Sequence, residues 1–162
     1  SRGLGDVYKR QMNKDKGDFM IRRLENRDLE QTAKIWLDTN REAHDFIPGS
    51  YWENHYLMVK EMLLQAEVYV YETEQEIRGF VGLDDTYIAG IFVRSKEQSQ
   101  GIGTQLLDFV KERKEELSLR VYQKNENAIR FYQREEFQVQ EEGIDEDTKE
   151  KEYLMIWRKQ NG

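Results

Sequence analysis

Cysteine is absent from this chain of 162 residues, and proline occurs only once, at Pro48. Without cysteine there are no disulfides, no thiolate metal ligands and no catalysis through a covalent cysteine adduct. The sequence also lacks any run of about 18 apolar residues, the length that a membrane-spanning helix requires. No apolar segment with a cleavage site marks a secretion signal near its start. These absences predict a cytoplasmic protein with no membrane partner.

Positive charge is outnumbered by negative charge. Lys and Arg total 25 against 32 Asp and Glu, which gives a net charge of −7. A protein that neutralises many phosphates is usually basic, so we expect no nucleic-acid partner and favour a cationic one. The two histidines have no carboxylates arranged around them in a ligand pattern, so no metal site is predicted.

The apolar residues that are present suffice for one core. Hydrophobic residues make up 38% of the chain and aromatic residues 12%, which suits a single domain at this length. The start of the chain, "SRGLGDVYKRQ", has no periodicity, and we expect a non-native or disordered leader at residues 1–19. The domain is predicted to span residues 20–159, followed by a tail at 160–162.

Alternating and helical periodicities predict an α/β (α+β) fold with the element order β-α-α-β-β-β-α-β-α-β-β. The predicted strands are "FMIRRL" (19–24), "VYVYE" (68–72), "IRGFVGL" (77–83), "YIAGIFV" (87–93), "LSLRVY" (117–122), "FQVQE" (137–141) and "YLMIW" (153–157). Asp28 and Gln31 have the spacing of a capping box at the first helix. A second helix is predicted from about Trp52 to Ala66.

The most informative stretch is "IFVRSKEQSQGIGTQLLDFV", residues 91–110. A strand ends, a polar turn closes on Gly101 and Gly103, and an amphipathic helix follows. A helix N-terminus carries unpaired N–H groups and a partial positive charge, and glycine lets the backbone approach a ligand closely. The turn from Gln98 to Thr104 is therefore a candidate pyrophosphate site. The alternative is a plain tight turn.

Better-known glycine motifs do not fit this turn. No Gly-Lys-Ser/Thr follows it, so it is not a P-loop. It comes after four strands and lacks a third glycine, which excludes the dinucleotide fingerprint. The chain also has no G-x-S-x-G sequence of a hydrolase.

Two motifs together carry a family resemblance. Gln98-x-x-Gly101-x-Gly103 resembles the Q/R-x-x-G-x-G/A signature of the GNAT superfamily of N-acetyltransferases. Further along, "NENAIRFYQREEF" (125–137) resembles the second GNAT signature, N-x-x-A-x-x-F-Y-x-x-x-G-F. The resemblance implies a GNAT-like mixed, mostly antiparallel sheet of about six to seven strands with four helices. The segment "IWLDTNREAHDFI…YW" is similar to a subgroup of small bacterial GNAT enzymes, some of them thought to acetylate protein lysines.

The resemblance implies acetyl-CoA as the acetyl donor. Its pyrophosphate would rest on the backbone of residues 98–104, and its pantetheine arm would pair with the strand 91–93 like an extra strand. A β-bulge opens the cleft in such enzymes, and Gly90 is the expected position of irregular backbone. The residues implied to bind the cofactor are Ile91, Phe92, Val93, Gln98, Ser99, Gln100, Gly101, Ile102, Gly103, Thr104, Asn125 and Tyr132.

The chain departs from the GNAT signatures at two positions. Gln98 stands where arginine is commoner, so a side-chain charge on the phosphate is absent there, although Arg94 and Lys96 lie nearby in sequence. Glu136 stands where the second signature has glycine, which we expect to alter a helix C-cap and to leave the cofactor contacts unchanged.

Acetyl transfer to an amine requires a neutral amine, a polarised carbonyl and a protonated leaving group. Because cysteine is absent, we predict direct attack in a ternary complex. Tyr132 is the implied general acid, since a phenol has a pKa near 10. His44 is the candidate general base because it titrates near neutral pH, with Glu42 and Asp45 as rivals.

The acceptor site is predicted between the first helices and the last hairpin. Its candidate residues are Asn40, His44, Phe46, Tyr51 and Trp52, with Trp36 taken as ordinary packing. The acidic link at 141–152 could attract a cationic acceptor or be a solvated loop. The acceptor is a protein lysine or a small amine, and a homodimer is possible.

Two other functions compete with an N-acetyltransferase. One is a non-catalytic acyl-CoA-binding sensor or interaction module, which needs the glycine turn but not Tyr132. The other is an enzyme that acetylates aminoacyl-tRNA, which the negative net charge disfavours.

Overall fold

The computed structural model describes residues 18–160. Its helices are α1 (Leu29–Ala43), α2 (Gly49–Gln65), α3 (Ile102–Lys111) and α4 (Glu126–Arg134), and its strands are β1 (Met20–Arg23), β2 (Glu67–Thr73), β3 (Glu76–Asp84), β4 (Tyr87–Val93), β5 (Glu116–Tyr122), β6 (Gln138–Ile144) and β7 (Lys151–Arg158). Within these residues the element order is the predicted one, so the fold class is confirmed. Helix α2 begins at Gly49, three residues before the predicted start at Trp52, because Pro48 with its fixed φ precedes the first turn.

The seven strands form one sheet in the order β1-β2-β3-β4-β5-β7-β6. All neighbours are antiparallel except β4 and β5, which run parallel. The parallel pair is joined only at Tyr87 with Ser118 and at Ile88 with Leu119. Beyond Ile88 the two strands separate, and the sheet is split along this line.

Hydrophobic residues pack on both faces of the sheet. On one face, α3 and α4 cover a cluster that includes the fully buried Leu106 and Leu107. On the other face, α1 and α2 cover a smaller cluster around Ala33 and Phe80. The buried positions of α3 recur at the helical spacing that the sequence shows. Each large buried side chain contributes about 1.5–3 kcal/mol relative to its exposed state.

The start of α1 differs from the predicted capping box. The side chain of Asp28 makes no cap on α1. Its carboxylate accepts hydrogen bonds from Nη1 and Nη2 of Arg22 at 2.7 and 2.9 Å and from the N–H of Glu25 at 2.8 Å. Gln31 accepts instead from the N–H of Ile77 at 3.1 Å. The prediction was wrong because a charged, bidentate partner from β1 binds the carboxylate more strongly than backbone amides do.

Helix α4 ends where the second signature departs from glycine. Glu136 has φ 74°, the left-handed conformation that favours glycine. The N–H of Phe137 donates to the carbonyl of Tyr132 (2.9 Å), and the N–H of Glu136 donates to that of Gln133 (3.1 Å). These two bonds form a Schellman motif. The cap itself is therefore kept, and the departure from the signature is seen as a non-glycine residue in the strained left-handed conformation at Glu136.

The predicted leader lies outside the described residues except for its last two positions. Phe19 is buried and stacks on Tyr71 with ring centroids 4.7 Å apart, and the carbonyl of Asp18 accepts from Oγ1 of Thr73 at 2.6 Å. The packed domain thus includes Phe19. No helix between residues 18 and 160 combines the length and apolar character needed to cross a bilayer.

Candidate active site

A cleft of about 1370 Å³ opens where β4 and β5 separate. The turn between β4 and α3 lines one part of it, and the start of α4 lines another. The end of β5 and the link between β6 and β7 line the side toward α1. The split in the sheet therefore brings residues from both faces of the fold into a single cavity.

The glycine turn presents free N–H groups to this cleft. Gly101 precedes the first turn of α3 with φ 86°, and a Cβ built there would meet nothing within 4 Å. No hydrogen bond within residues 18–160 engages the N–H groups of residues 99–104. Such a row at a helix N-terminus suits an anionic group. Glycine is favoured at position 103 for a different reason, because a Cβ there would lie 3.3 Å from the ring of Phe131.

Two arginines next to this turn are paired with Glu97. Glu97 accepts from Nε and Nη2 of Arg94 at 3.0 and 2.6 Å and from Nη1 of Arg78 at 2.7 Å. The hydrogen bonds from Arg94, together with those from Arg78, lower the pKa of Glu97 to about 2 against the effect of burial. Arg94 is therefore committed to Glu97. Gln98, which replaces the commoner arginine, donates from Nε2 to the carbonyl of Val93 at 3.0 Å.

Strand β4 is bulged beside the cleft. Gly82 pairs with Gly90 and Leu83 pairs with Ile88, so Ala89 is the extra residue. The irregular backbone expected at Gly90 is thus confirmed next to it. The ring of Phe92 covers Gly90 so closely that a Cβ there would lie 2.3 Å from it. Past the bulge, β4 has no strand partner on its β5 side among the described residues, which leaves room for an extended ligand beside Ile91 and Val93.

Asn125 joins the start of α4, on one side of the cleft, to the end of α1. Its Oδ1 caps α4 by accepting from the N–H of Ala128 at 3.3 Å. Its Nδ2 lies 3.2 Å from Nε2 of His44. The side chain that the resemblance assigns to pantetheine thus has both ends engaged within the protein.

His44 is enclosed by aromatic rings. It stacks on Trp52 (centroids 5.3 Å apart) and meets Phe46 and Tyr122 edge-on at 5.6 and 5.1 Å. Burial lowers the pKa of His44. Its Nδ1 is buried with no hydrogen-bond partner among the described residues. The surroundings therefore favour a neutral imidazole held by packing.

Tyr132 sits on α4 with its ring in the core and lines the cleft. It is 8% exposed and meets Phe131 and Phe137 edge-on at 5.2 and 5.5 Å. Burial raises the pKa of Tyr132, and its interaction with Tyr87 raises it further. The hydroxyl is therefore fully protonated at neutral pH, which is the state that a proton donor requires.

The sequence analysis named none of several polar residues on the other side of the cleft, although two of them lie in the acidic link at 141–152. They are Tyr87, Arg120, Tyr122, Asp145 and Glu152. The hydroxyl of Tyr122 donates to Oδ2 of Asp145 at 2.6 Å, and Arg120 Nη1 lies 3.4 Å from Oε2 of Glu152. The alternation of β5 hinted at them, because Arg120 and Tyr122 are the non-core residues of that strand. No local pattern showed that β7 pairs with β5.

The other predicted site residues divide between the cleft and its support. Asn40, Trp36, Glu42, His44 and Trp52 line the cleft, whereas Gln100, Asp45, Phe46 and Tyr51 do not. Asn40 is buried and donates from Nδ2 to the carbonyl of Trp36 at 2.8 Å, so its side-chain amide is engaged within α1. Tyr51 reaches Oδ2 of Asp147 at 3.4 Å. Glu42 accepts from the hydroxyl of Ser95.

Comparison with known proteins accounts for this arrangement. Residues 65–139 match the family described as acetyltransferase (GNAT) domain. The chain is also 32% identical over 140 residues to the peptidyl-lysine N-acetyltransferase YiaC of Escherichia coli (strain K12), covering 85% of this chain and 96% of that protein. The chain belongs to the GNAT family of acetyltransferases. The predicted enzyme class, an acetyl-CoA-dependent N-acetyltransferase, is confirmed with it.

Solved structures show that this acetyltransferase has the fold of its family. The solution structure of apo YjaB from Escherichia coli matches with a TM-score of 0.77 at 23% identity, covering 85% of this chain and 96% of that one. The PaiA N-acetyltransferase from Thermoplasma acidophilum, crystallised in complex with coenzyme A, matches with a TM-score of 0.74 at 19% identity over 88% of this chain and 99% of that one.

Proposed function

We propose that the protein transfers the acetyl group of acetyl-CoA to the side-chain amine of a protein lysine by direct attack in a ternary complex. The observation that carries this proposal is the cleft through the split sheet, which joins a row of free N–H groups on one side to a polar, aromatic site on the other. The name of YiaC, a peptidyl-lysine N-acetyltransferase, supports a lysine acceptor over a small amine.

The residues on the cofactor side fit the coenzyme. The N–H groups of residues 99–104 would hold the diphosphate, and the unpaired edge of β4 would hold the pantetheine arm. Since Arg94 is engaged by Glu97, positive charge comes from α4 instead. Arg134 lines the cleft and has no ion-pair partner among residues 18–160, so we assign it to a phosphate.

Tyr132 is the residue proposed to protonate the leaving thiolate. Bound acetyl-CoA supplies the activated thioester, and the side chains of the cleft orient the amine and move protons. The buried phenol keeps its proton until the departing thiolate develops negative charge beside it, and it regains a proton from the attacking nitrogen. Asn125 and His44 brace the start of α4 and thereby position Tyr132.

A screen of coenzyme A release tests the proposal. The wild-type protein is mixed with acetyl-CoA and with lysine peptides, N-terminal peptides, polyamines or free amino acids, and free thiol is measured. We expect release with lysine peptides, and mass spectrometry should place the acetyl group on the lysine side chain. Tight acetyl-CoA binding with no thiol release for any amine would favour the non-catalytic acyl-CoA-binding module instead.

A further inference from the structure

The proposed reaction needs a group that takes the proton from the attacking ammonium. Resting on that proposed function, we propose that Glu152, at the start of β7, is this proton acceptor. Glu152 lines the cleft, and the competing groups are bound by other residues or, in the case of Glu146, exposed to solvent.

Glu152 lies on the face of the sheet from which an amine can approach. On β7, Tyr153 packs on the core with α3 and α4, and Met155 and Trp157 are buried in it. Glu152 alternates with these residues and therefore points to the opposite face. It is paired with Tyr122 across the β5–β7 ladder. Tyr132 enters the cleft from α4 on the core side, so an acyl group between the two faces would have the acid on one side and Glu152 on the other.

Within residues 18–160, the carboxylates that line the cleft are Glu42, Glu97, Asp145, Glu146 and Glu152. Glu97 is bound by two arginines and, with a pKa of about 2, is too weak a base. Glu42 is exposed and holds the hydroxyl of Ser95. Glu146 is exposed and makes no hydrogen bond or ion pair with any residue of the described part.

Asp145 is excluded by its own hydrogen bonds. It accepts from the hydroxyl of Tyr122 at 2.6 Å and from the N–H groups of Asp147 and Thr148 at 2.9 and 3.4 Å. Although burial opposes it, these bonds lower the pKa of Asp145. The carboxylate of Asp145 shapes the link between β6 and β7 and has little basicity left for an incoming amine.

His44, the base expected from the sequence, is also engaged. Its Nε2 faces the amide of Asn125, and its Nδ1 is buried with no hydrogen-bond partner among the described residues. A proton added to Nε2 would turn both groups into donors facing each other. His44 therefore positions α4, and the proton goes elsewhere.

The environment of Glu152 suits a base. Its side chain is 13% exposed, and burial raises its pKa. Arg120 lies 3.4 Å away and favours the ionised form, while Asp145 opposes it. Tyr87 on β4 also lines the cleft, and its electrostatic interaction contributes to the raised pKa of Tyr132.

Glu152 and Tyr132 together account for every proton that moves in the reaction. Glu152 takes one proton from the ammonium, and the neutral nitrogen forms a bond to the carbonyl carbon. The carbon–sulfur bond breaks, and Tyr132 gives its proton to the thiolate. The second proton of the nitrogen returns to Tyr132, and Glu152 releases its proton to solvent. One ammonium and one thioester give one amide, one thiol and one free proton.

The test is the Glu152→Gln variant, which keeps the shape of the side chain and removes its basicity. We expect kcat/KM for a lysine peptide to fall by roughly a hundredfold at pH 7, with unchanged acetyl-CoA affinity in calorimetry. The deficit should shrink as the pH rises toward the lysine pKa of about 10.4, where the amine loses its proton unaided. The matched control is Glu141→Gln, an exposed change on β6 outside the cleft.

A structural defect would behave differently from a lost base. A deficit that is constant from pH 7 to pH 9.5, or a variant as active as the wild type, overturns the assignment of Glu152. A wild-type protein that acetylates no amine overturns the proposed function instead, so the two failures are distinguished. Calorimetry with a lysine peptide in the presence of coenzyme A adds a readout without turnover, and we expect weaker peptide binding in Glu152→Gln.

Discussion

Asn125 binds His44 with the same amide that caps α4. Its Oδ1 accepts from the N–H of Ala128 (3.3 Å), and its Nδ2 lies 3.2 Å from Nε2 of His44. Since the capping bond fixes which end of the amide faces the ring, Nδ2 is the donor and Nε2 the acceptor. The neutral tautomer of His44 with its proton on Nδ1 is thereby selected, and the end of α1 is tied to the start of α4.

Because of this contact, we predict that the Asn125→Asp variant reverses the direction in which the pKa of His44 is shifted. In the wild type, burial lowers the pKa of His44 below its ordinary value. Aspartate would keep the cap but place a carboxylate beside Nε2, which should raise the pKa of His44 above that of the wild type. The chain has two histidines, so NMR can follow both, and a His55→Gln variant identifies the signals.

The same shift sets a pH dependence of stability. The unfolded chain takes up the His44 proton at a higher pH than the folded protein does, so its contribution to stability is fully present above about pH 6.5. It is lost as the pH falls from there toward the folded pKa. In Asn125→Asp this loss should disappear. An unchanged His44 pKa in the variant would show that the contact is not formed in solution.

Two variants of Gly101 separate the effect of backbone strain on stability from the effect of side-chain bulk and charge on acetyl-CoA binding. The φ of 86° should make Gly101→Ala less stable by about 1 kcal/mol. Gly101→Glu carries the same strain and adds bulk and negative charge, so we expect its Kd for acetyl-CoA to rise by roughly a hundredfold, or about 2.7 kcal/mol. Calorimetry of both variants measures the difference. Equal affinities in Gly101→Glu, Gly101→Ala and the wild type would place the diphosphate elsewhere.

Tyr132→Phe should separate chemistry from binding. Removing the hydroxyl leaves the packing against Phe137 but removes the proposed proton donor. We expect kcat to fall by roughly ten- to a thousandfold with little change in acetyl-CoA affinity. Tyr69→Phe is the matched control, because that hydroxyl bonds Glu67 on β2 outside the cleft. Full activity of Tyr132→Phe would remove the assigned acid.

Glu136→Gly should stabilise the protein. The residue occupies the left-handed position of a Schellman motif, where a Cβ costs about 1 kcal/mol. Denaturant unfolding should show a gain of that order, reduced by the greater freedom of glycine in the unfolded chain. Glu135→Gly, one residue earlier with φ −90°, lacks this relief and should be destabilising. A loss of stability in Glu136→Gly would contradict the strain.

Local patterns predicted the fold and the glycine turn to which the diphosphate is assigned in the proposed function. The alternation of β4 and the apolar spacing of α3 are visible in short windows, and Gly101 and Gly103 mark the turn between them. The proposed acceptor half depends on contacts between residues that are far apart in the sequence, so no short segment shows them. His44 and Asn125 are 81 residues apart, and Glu152 reaches the cleft only because β7 inserts between β5 and β6.

Chemical type alone points to a different base from the one that the contacts in the cleft favour. His44 attracts attention because an imidazole titrates near neutral pH, yet burial and Asn125 commit it to packing. Glu152 lies within an acidic segment that resembles a solvated loop in sequence. Only the register of β7, which sets Glu152 beside Arg120 and opposite Tyr122, distinguishes it from its acidic neighbours.

A crystal structure of the protein with acetyl-CoA tests the central claim most directly. We predict diphosphate oxygens about 2.7–3.2 Å from the N–H groups of residues 99–104, the pantetheine arm beside Ile91 and Val93, and the thioester between Tyr132 and Glu152. A diphosphate bound away from this turn, with the gap between β4 and β5 empty, would contradict it.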